Sequence, residues 1–427
     1  MRIALVSLHT NPFDAPGWGD AGGMNVVVRH HAEALADLGH EVEVLTRKID
    51  PNAPDSVLLR PGLTLRTLVA GPIEELSKSA QGVLTSDFEV SMRELAPFDL
   101  IHAHHWMSGI AALPLGREWN VPVLMSYHSI AALPGAPLDH GEPPEDHLRV
   151  AAEARLAREA TRIIAISEAE AQTAIERCGA DPERVTVLAP GVDNALFTPL
   201  TSVAATASVS AGTSVTASVS TAALGASVNN TFVNESQPPK PAPNDPGYVF
   251  IAARLQPLKG IDLAVETLAL IPSDIRPRLI VAGEDSIDFA GYRDQLREDA
   301  QKAGGGLNIT FIGAQTRDRL ATWLREAKLV MVPSYSETFG LVALEAAASG
   351  VPVIAADTGG LREAVVHGTT GLLLTGRDPH VWAAAIEPLL RDPQRLHTLG
   401  VAARHRAEGF DWSLVGERLV ALYASLS

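Results

Sequence analysis

The sequence predicts an α/β protein made of two Rossmann-type, doubly wound domains. Two observations predict it: short apolar runs alternate with helical patterns in both halves of the 427-residue chain, and a low-complexity segment separates the halves. Parallel strands need helical crossovers, so this alternation indicates βα units and mostly parallel sheets. A chain of this length can form two hydrophobic cores.

The first predicted domain covers residues 1–199. A helix predicted from Gly23 to Gly39 carries apolar residues at helical spacing, and Gly39 is a typical stop residue. The apolar runs predicted as strands of this domain are Ile3 to Leu8, Val42 to Leu45, Leu100 to His102, Val121 to Ser126, Ile163 to Ile166 and Val185 to Leu188.

The second predicted domain covers residues 247–409, and segment 410–427 is predicted as a closing helix that begins near Asp411 or Ser413. The domain shows the same alternation, which predicts a second parallel sheet. Its predicted strands are Tyr248 to Ile251, Leu279 to Val281, Ile309 to Ile312, Leu329 to Val332, Val353 to Ala355 and Leu372 to Leu374.

Between the two domains, residues 200–246 have a different composition. Alanine, serine, threonine and valine dominate two near-copies of a ten-residue repeat, and a proline-rich stretch follows. Such a segment buries too little apolar surface to offset the entropy lost on ordering, which predicts a flexible insert or linker. Pairing of the repeats as an edge hairpin is the alternative.

Composition narrows the classes of partner. A net charge of −16 argues against nucleic acid or an anionic membrane as the main partner, because both would repel the chain. The single cysteine, Cys178, excludes an intrachain disulfide. No apolar stretch is long enough for an integral membrane segment, and Met1 to Leu8 is too short for a signal peptide, so we expect a cytoplasmic protein. Any phosphate ligand must be bound by local cations.

The most informative stretch runs from Ser334 to Glu345, after the apolar run Leu329 to Val332. It reads as the end of a strand, a loop, and a helix opened by Thr338, Phe339 and Gly340, with Glu345 about two turns into the helix. The amides of a helix N-terminus suit a diphosphate, whereas Glu337 and Glu345 suit sugar hydroxyls. Together they indicate a nucleotide sugar. In isolation, Glu337 as a helix cap and Glu345 as a solvated residue would explain the same pattern.

The pattern Gly-Leu-Val-Ala-Leu-Glu-Ala-x-Ala-x-Gly-x-Pro-Val-Ile-Ala that follows Phe339 strongly resembles the donor-binding segment of retaining glycosyltransferases of family 4, whose signature is a Glu-x7-Glu pair. The resemblance implies the GT-B architecture, in which two such domains face each other across a cleft. It places the donor mainly on the second domain, the acceptor on the first, and the terminal helix back on the first domain. The donor-binding residues that it implies around this pair are Gly23, Thr338, Phe339, Gly340 and Leu341.

Arg254 and Lys259 lie five positions apart after the first strand of the second domain. Two cations at a strand end can neutralise a diphosphate, although a solvated basic turn would also explain them. They match the Arg-x4-Lys motif of the family. We therefore expect both to stabilise the departing nucleoside diphosphate, in place of a metal ion.

His128 ends the strand from Val121 and is followed by the hydroxyl of Ser129. A lone histidine is more often structural than catalytic. The family resemblance implies that this histidine contacts a donor-sugar hydroxyl or the reacting centre, so we list it with Glu337, Arg254 and Lys259 as candidate catalytic residues.

The loop Gly-Asp-x-Gly-Gly-Met-Asn, residues 19–25, opens the first helix. A glycine loop alone is weak evidence, because ordinary turns use the same residues. This one closely resembles the N-terminal loop of the D-inositol-3-phosphate glycosyltransferases of mycothiol biosynthesis, a subgroup of the family. The resemblance implies that the glycines meet the donor diphosphate and that His9, Asp20 and Asn25 border the acceptor.

Four further residues follow from the subgroup as ligands of an acceptor phosphate. Lys78 matches a phosphate-binding lysine, Ser129 replaces a threonine, and His105 stands where the subgroup tends to have tyrosine. Arg149 is the arginine that best fits the remaining position, although the loop from Pro134 to Pro144 departs from the subgroup. Solvated surface cations would also explain Lys78 and Arg149.

These observations lead to one hypothesis: a retaining glycosyltransferase that transfers a sugar, N-acetylglucosamine from its uridine diphosphate donor as the resemblance implies, to 1D-myo-inositol 3-phosphate. We expect small-molecule substrates and no required cofactor. No Asp-x-Asp motif lies near a strand end, so no metal site is implied, although magnesium could bind loosely. A homodimer is compatible with the sequence.

Three alternatives stay open at the level of sequence. A family 4 enzyme with a lipid or polysaccharide acceptor would not need Lys78 and Arg149 as a phosphate site. A nucleotide-sugar epimerase also has two such domains, but the pair Glu337 and Glu345 favours transfer. A non-catalytic nucleotide-sugar sensor would bind the donor without turnover.

Overall fold

The computed structural model describes residues 1–14, 22–131, 147–200, 238, 245–285, 289–303 and 307–426. Asp20, the loop from Pro134 to Pro144 and nearly all of the predicted insert at 200–246 lie outside the described residues. Within them, the chain forms two sheets with helices on both faces. The predicted fold class, two doubly wound α/β domains, is confirmed.

The first sheet has eight strands in the order β3-β4-β2-β1-β5-β6-β7-β8. Every neighbouring pair is parallel except β3 and β4, which are antiparallel. The strands are β1 (Arg2–Val6), β2 (Glu41–Arg47), β3 (Ser56–Arg60), β4 (Leu63–Leu68), β5 (Leu100–His104), β6 (Val123–Ser126), β7 (Arg162–Ala165) and β8 (Val185–Val187).

Helices cover both faces of this sheet, which explains why strands such as β1 read as continuous apolar runs. Each buried aliphatic side chain in such a strand stabilises the fold by about 1.5–3 kcal/mol. The helices are α1 (Gly23–Asp37), α2 (Lys78–Gln81), α3 (Thr85–Arg93), α4 (Trp106–Trp119), α5 (His147–Glu159) and α6 (Glu168–Glu176).

The second sheet has six strands in the order β11-β10-β9-β12-β13-β14, and all its neighbouring pairs are parallel. Its strands are β9 (Tyr248–Ala252), β10 (Arg278–Ala282), β11 (Ile309–Phe311), β12 (Leu329–Val332), β13 (Val353–Ala356) and β14 (Gly371–Leu374). Its helices are α7 (Ile261–Leu270), α8 (Tyr292–Lys302), α9 (Arg317–Glu326), α10 (Leu341–Ala348), α11 (Leu361–Ala364), α12 (Pro379–Arg391) and α13 (Pro393–Ala407).

The last helix, α14 (Trp412–Ala424), packs against α1 of the first domain. Asp411 caps its N-terminus by accepting a hydrogen bond from the N–H of Ser413. Trp412, Leu419 and Tyr423 join the hydrophobic core of the first domain. The chain therefore crosses twice between the domains. None of the described helices has the length and apolar character needed to cross a bilayer.

Two local features differ from the sequence prediction. The hairpin of β3 and β4 was not predicted, because β3 is a largely exposed edge strand and lacks a buried face that would show as alternation. The predicted helix start at Thr338 is wrong: α10 begins at Leu341, because Gly340 adopts a left-handed conformation (φ 93°) that interrupts the helical path. Glu345 consequently lies about one turn into α10 rather than two.

Candidate active site

The carboxyl ends of the parallel strands of the two sheets face each other, and close approaches between the domains join them. The Thr338 hydroxyl donates to the carbonyl of His128 at 2.9 Å. A β-carbon added at Gly23 would lie 3.4 Å from Leu341, so the N-termini of α1 and α10 are close neighbours. The cleft between them lies where open parallel sheets bind their ligands.

On the second domain, the loop after β12 places Glu337 beside Lys259. Lys259 Nζ donates to Glu337 Oε1 at 2.6 Å, and the Ser334 hydroxyl donates to the same oxygen at 3.0 Å. Gly260 (φ 64°) allows the close approach of the two loops, since a β-carbon there would lie 2.1 Å from the carbonyl oxygen of Pro333. The pair therefore offers a cation and a carboxylate at one point of the cleft.

The turn that holds Lys259 also carries Arg254, which faces the first domain. Burial is the largest cause of the lowered pKa of His9, and the positive charge of Arg254 contributes a smaller lowering across the cleft. An anion bound between Arg254 and Lys259 would lie between the two sheets. This is the position that sequence analysis predicted for a diphosphate.

Glu345 is buried, with 3% of its surface exposed, and forms an ion pair with Arg317 at the start of α9. The Arg317 guanidinium also lies over the ring of Phe197, 4.7 Å from its centroid. Phe197 belongs to the segment that joins the two domains. Sequence analysis missed Arg317, because an arginine in the first turn of a helix has no local signal that distinguishes it from a surface residue.

The remaining donor-loop residues have distinct environments. Phe339 is buried and packs near Phe410, so its side chain supports the loop rather than facing the cleft. Gly340 could not be replaced without strain, since its φ is 93° and a β-carbon would lie 2.5 Å from Leu361. The side chain of Leu341 is partly buried and lies next to Gly23 of the first domain.

On the first domain, His128 follows β6 with a left-handed backbone (φ 60°) that non-glycine residues rarely adopt. Its ring Nε2 shares a hydrogen bond with His104 Nδ1 at 2.8 Å. Burial, with a smaller effect of His31, lowers the pKa of His128 to about 3. His128 is therefore a neutral hydrogen-bonding group at the cleft, not a cation.

His9 and His105 lie together, with ring centroids 4.3 Å apart. The pKa of each is well below its ordinary value, first because of burial and then because of the positive charges of Lys78 and Arg149. These four predicted acceptor residues thus converge on one region. His105 is almost fully buried and adopts a left-handed backbone (φ 71°), and neither of its ring nitrogens has a hydrogen-bond partner among the described residues.

Arg149 and Ser129 are also brought together as expected. Arg149 donates to the carbonyl and hydroxyl oxygens of Ser129 at 2.9 and 3.0 Å. Its Nε donates to Glu153 Oε1 at 2.8 Å, so the guanidinium is held rigidly. The loop before Lys78 is fixed by buried Arg47, which donates to two of its carbonyl oxygens.

Asn25 was predicted to border the acceptor, but its polar atoms bond to residues of the loop that precedes it in the first domain. Its amide nitrogen donates to Thr10 Oγ1 at 3.0 Å and to the carbonyl of Asn11 at 2.7 Å. Its amide oxygen accepts the N–H of Gly22 at 3.2 Å. Asn25 therefore shapes the glycine loop in this structure.

Three buried histidines, His31, His102 and His104, place one ring nitrogen each within 4.8 Å of one another. Burial lowers the pKa of all three, so they are neutral. Both nitrogens of His102 are already bonded, to the Tyr423 hydroxyl at 2.7 Å and to Ser126 Oγ at 3.0 Å. Among the described residues, only His31 and His104 of this cluster keep a ring nitrogen without a hydrogen-bond partner, so the cluster offers a metal ion two available residues rather than three.

Comparison with known proteins agrees with this geometry. The family model for glycosyl transferases group 1 matches residues 233–406, and that for the glycosyl transferase 4-like domain matches residues 22–191. A protein of Thermobispora bispora named D-inositol 3-phosphate glycosyltransferase is 36% identical over 99% of this chain and 94% of its own. One of the same name from Mycobacterium tuberculosis is 38% identical over 99% and 82%.

Among solved structures, a sucrose-phosphate synthase from Thermosynechococcus elongatus superimposes with a TM-score of 0.83 and 28% identity, covering 100% of this chain and 98% of that one. Anabaena HepE in complex with UDP and glucose gives 0.72 at 20% identity, each chain being fully covered, which shows likeness of fold. The chain therefore belongs to the group 1, family 4-like glycosyltransferases and is a glycosyltransferase with the GT-B fold.

Proposed function

We propose that the protein transfers N-acetylglucosamine from uridine diphosphate N-acetylglucosamine to a hydroxyl of 1D-myo-inositol 3-phosphate, with retention of anomeric configuration. The observation that carries the proposal is the meeting, across one cleft, of a carboxylate and cation set on the second domain and a lysine, arginine and histidine set on the first. The relatives named for inositol 3-phosphate support the choice of acceptor.

The second-domain set suits a nucleotide sugar. The side-chain oxygens of Glu345 and Glu337 accept hydrogen bonds from donor hydroxyls, while Lys259 and Arg254 neutralise the diphosphate. Lys259 is hydrogen-bonded to Glu337, so the donor diphosphate adds a second anion beside a lysine that is already oriented. The amides at the start of α10 add partial positive charge on the same side.

The first-domain set suits a compact phosphate dianion. Lys78 and Arg149 supply charge and Ser129 supplies a hydroxyl. Burial, and then the neighbouring cations, lower the pKa values of His9 and His105, so both are neutral groups. This local cluster explains how a chain with a net charge of −16 attracts an anionic acceptor.

Chemistry then depends mainly on position and charge. The acceptor hydroxyl attacks the anomeric carbon from the face that the diphosphate leaves, and its proton passes to the departing phosphate oxygen. The bond from the sugar to the diphosphate breaks as the new glycosidic bond forms. Lys259 and Arg254 stabilise the charge that develops on the leaving group, and neutral His128 orients the sugar. Contacts that close the cleft exclude water, which would otherwise hydrolyse the donor.

The remaining elements of the proposal follow from the resemblance and the sequence. The reaction needs no cofactor, since two cations do the work of a metal ion at the diphosphate. The protein acts in the cytoplasm on small-molecule substrates, as a step of mycothiol biosynthesis.

The test is a product assay on the purified protein. Uridine diphosphate N-acetylglucosamine is offered with 1D-myo-inositol 3-phosphate, with unphosphorylated inositol, with a hexose phosphate, and with no acceptor, and both diphosphate release and product mass are followed. We expect a new product only with inositol 3-phosphate, with the anomeric configuration of the donor by NMR. Release of diphosphate without a product in any arm would overturn the acceptor assignment, and silence in all arms would overturn the donor assignment.

A further inference from the structure

His104, the last residue of β5, is a fully buried histidine that the proposed chemistry does not use. Its Nδ1 and the Nε2 of His128 share a hydrogen bond of 2.8 Å, and the two ring centroids lie 5.1 Å apart. The contact follows from the sheet, since β5 and β6 are parallel neighbours with His104 beside Ser126, and His128 comes two residues later. His104 does not reach the cleft, so it can act on the substrates only through His128.

Both rings of this hydrogen bond are neutral. Burial lowers the pKa of His104 well below its ordinary value, and burial also lowers the pKa of His128 to about 3. A neutral imidazole has one N–H donor and one acceptor nitrogen. One histidine therefore donates in this bond and the other accepts, and the direction fixes which nitrogen of His128 carries its proton.

The surroundings of the other two ring nitrogens decide the direction. His104 Nε2 is enclosed in the core and has no hydrogen-bond partner among the described residues. If His128 donated, this nitrogen would carry a proton, and an unpaired buried N–H costs stability. If His104 donates instead, the second proton lies on His128 Nδ1. That nitrogen also has no partner in the described part of the chain, but His128 is partly exposed at the cleft, where a substrate oxygen can accept from it.

The neighbouring ring of His102 keeps His104 in place, with the two ring centroids 4.1 Å apart. Ser126 Oγ donates its only proton to the carbonyl of Ile164 at 2.9 Å, so it accepts from His102 Nε2 at 3.0 Å. His102 Nδ1 consequently accepts the hydroxyl proton of Tyr423 at 2.7 Å. Because both nitrogens of His102 are bonded, its ring is a fixed surface against which His104 packs.

We propose that His104 is a positioning residue that donates from Nδ1 to His128 Nε2, so that His128 presents an Nδ1–H donor to an oxygen atom of the donor sugar. The part about the sugar rests on the proposed function, in which His128 orients the sugar. The tautomer of His128 does not depend on any substrate. His104 acts through His128 and touches no reacting group.

The first test reads the tautomer directly and needs no turnover. In the full-length protein labelled with 15N-histidine, long-range 1H–15N correlation spectra at neutral pH distinguish Nδ1–H from Nε2–H rings, and His128→Gln identifies the signals of His128. We expect Nδ1–H in the wild type and Nε2–H, the form that a free neutral histidine prefers, in His104→Leu. The wild-type spectrum alone decides the direction of the bond, even if a variant does not fold.

Two further variants separate the hydrogen bond from the bulk of the side chain. Asparagine has nearly the shape of leucine but carries an amide N–H near the position of ring Nδ1, so His104→Asn should retain the Nδ1–H form of His128. His31→Leu changes a buried histidine of the same cluster whose ring nitrogens have no hydrogen-bond partner among the residues described, and it should also leave the tautomer of His128 unchanged.

The second test compares the binding of uridine diphosphate with that of uridine diphosphate N-acetylglucosamine by calorimetric titration. In the proposed function His128 contacts the sugar and not the nucleotide. His104→Leu should therefore weaken binding of the nucleotide sugar roughly tenfold and binding of uridine diphosphate less than about twofold. His104→Asn and His31→Leu should stay within about threefold of the wild type for both ligands.

The outcomes separate this inference from the proposed function. An Nε2–H ring of His128 in the wild type overturns the inference, and so does an unchanged tautomer in folded His104→Leu. Equal weakening of both ligands in that variant overturns the positioning role, because a general loss of packing would produce it. If the wild type does not bind the nucleotide sugar, or makes no product with inositol 3-phosphate, the proposed function fails, while the spectra still decide whether His104 controls the tautomer of His128.

Discussion

The two sides of the cleft differ in how they use charge. The second-domain side presents two ion pairs, Glu337 with Lys259 and Glu345 with Arg317. The first-domain side presents Lys78 and Arg149 beside the neutral side chains of His9 and His105. Glu153 accepts a hydrogen bond from Arg149 and fixes its orientation. A surface with both signs suits a ligand that combines hydroxyls with a diphosphate, whereas a cationic surface suits a compact anion. The proposed function uses this difference by placing the two substrates on opposite sides of the cleft.

The difference extends to the cores. The first domain buries a group of imidazoles that includes His31, His102 and His104, and burial keeps them neutral. The histidines of the second domain that the structure describes are all exposed: His367, His380, His397 and His405. Protonation should therefore act unequally on the two domains.

The largest effect should come from Lys259→Ala. The change removes a cation from the diphosphate and leaves the Glu337 carboxylate unpaired beside it, so charge repulsion adds to lost stabilisation. We expect kcat/KM for the nucleotide sugar to fall on the order of 10³-fold. Lys302→Ala, at an exposed lysine of the same domain, is the control and should stay near wild type. A loss below tenfold in Lys259→Ala would mean that the leaving group is stabilised elsewhere.

On the opposite side of the cleft, Lys78→Ala should act on the acceptor alone. Loss of one charge-assisted contact should raise the KM for inositol 3-phosphate by roughly 10- to 100-fold, while hydrolysis of the donor without acceptor stays unchanged. Lys48→Ala, at a lysine that pairs with Asp55 elsewhere in the domain, controls for nonspecific loss of charge. If donor hydrolysis falls together with acceptor use, Lys78 contributes to the donor side and the division of the cleft is wrong.

Sequence analysis reached the second-domain side more completely than the first. Strand-end loops of a parallel sheet meet at one edge, so Lys259 and Glu337 could be placed together from the order of strands and loops. Gly340 shows where prediction from sequence fails. Its left-handed conformation delays the start of α10 to Leu341, three residues after the predicted start at Thr338, and no local pattern indicated that conformation. Periodicity predicts elements with a buried face, which is why the exposed strand β3 was missed.

Contacts between distant segments were harder to predict. Arg317 looks like an ordinary residue in the first turn of its helix, and its pairing with Glu345 depends on which segments the folded chain brings together. The convergence of His9, Lys78, His105 and Arg149 could be expected only from family resemblance, because four segments that are distant in sequence supply them. The structural environment of Asp20 lies outside the described residues, and its role stays a prediction.

The buried histidines predict that acid destabilises the first domain before the second. The pKa of His31 falls from 6.5 to about 4 on burial, so between these values the unfolded chain binds more protons than the native one. Stability from this residue is complete above about pH 6.5 and is lost as the pH falls toward 4. At pH 5 the loss amounts to about 2 kcal/mol for such a histidine. His30 and His128, whose pKa values fall to about 3, act in the same direction.

Urea unfolding at pH 7 and pH 5, combined with hydrogen exchange to separate the domains, measures this effect. His31→Gln should show a smaller loss of unfolding free energy between the two pH values than the wild type. His405→Gln, at an exposed histidine, should match the wild type. Equal acid sensitivity of the two domains would show that the buried imidazoles do not control stability in this range.

The smallest effect concerns the coupling of Glu345 to Arg317. If Arg317 orients Glu345 for a donor hydroxyl, Glu345→Gln and Arg317→Gln should each weaken binding of uridine diphosphate, and the double variant should be less impaired than the sum, with a coupling of about 1 kcal/mol. Calorimetric titration of all four proteins completes the cycle. The exposed pair Glu387 and Arg391 on α12 is the matched control and should show no coupling to ligand binding. Strictly additive losses would mean that Arg317 does not orient Glu345. Arg317 would then stabilise only the packing of Phe197 in the segment between the domains, and Glu345 would bind the donor without its help.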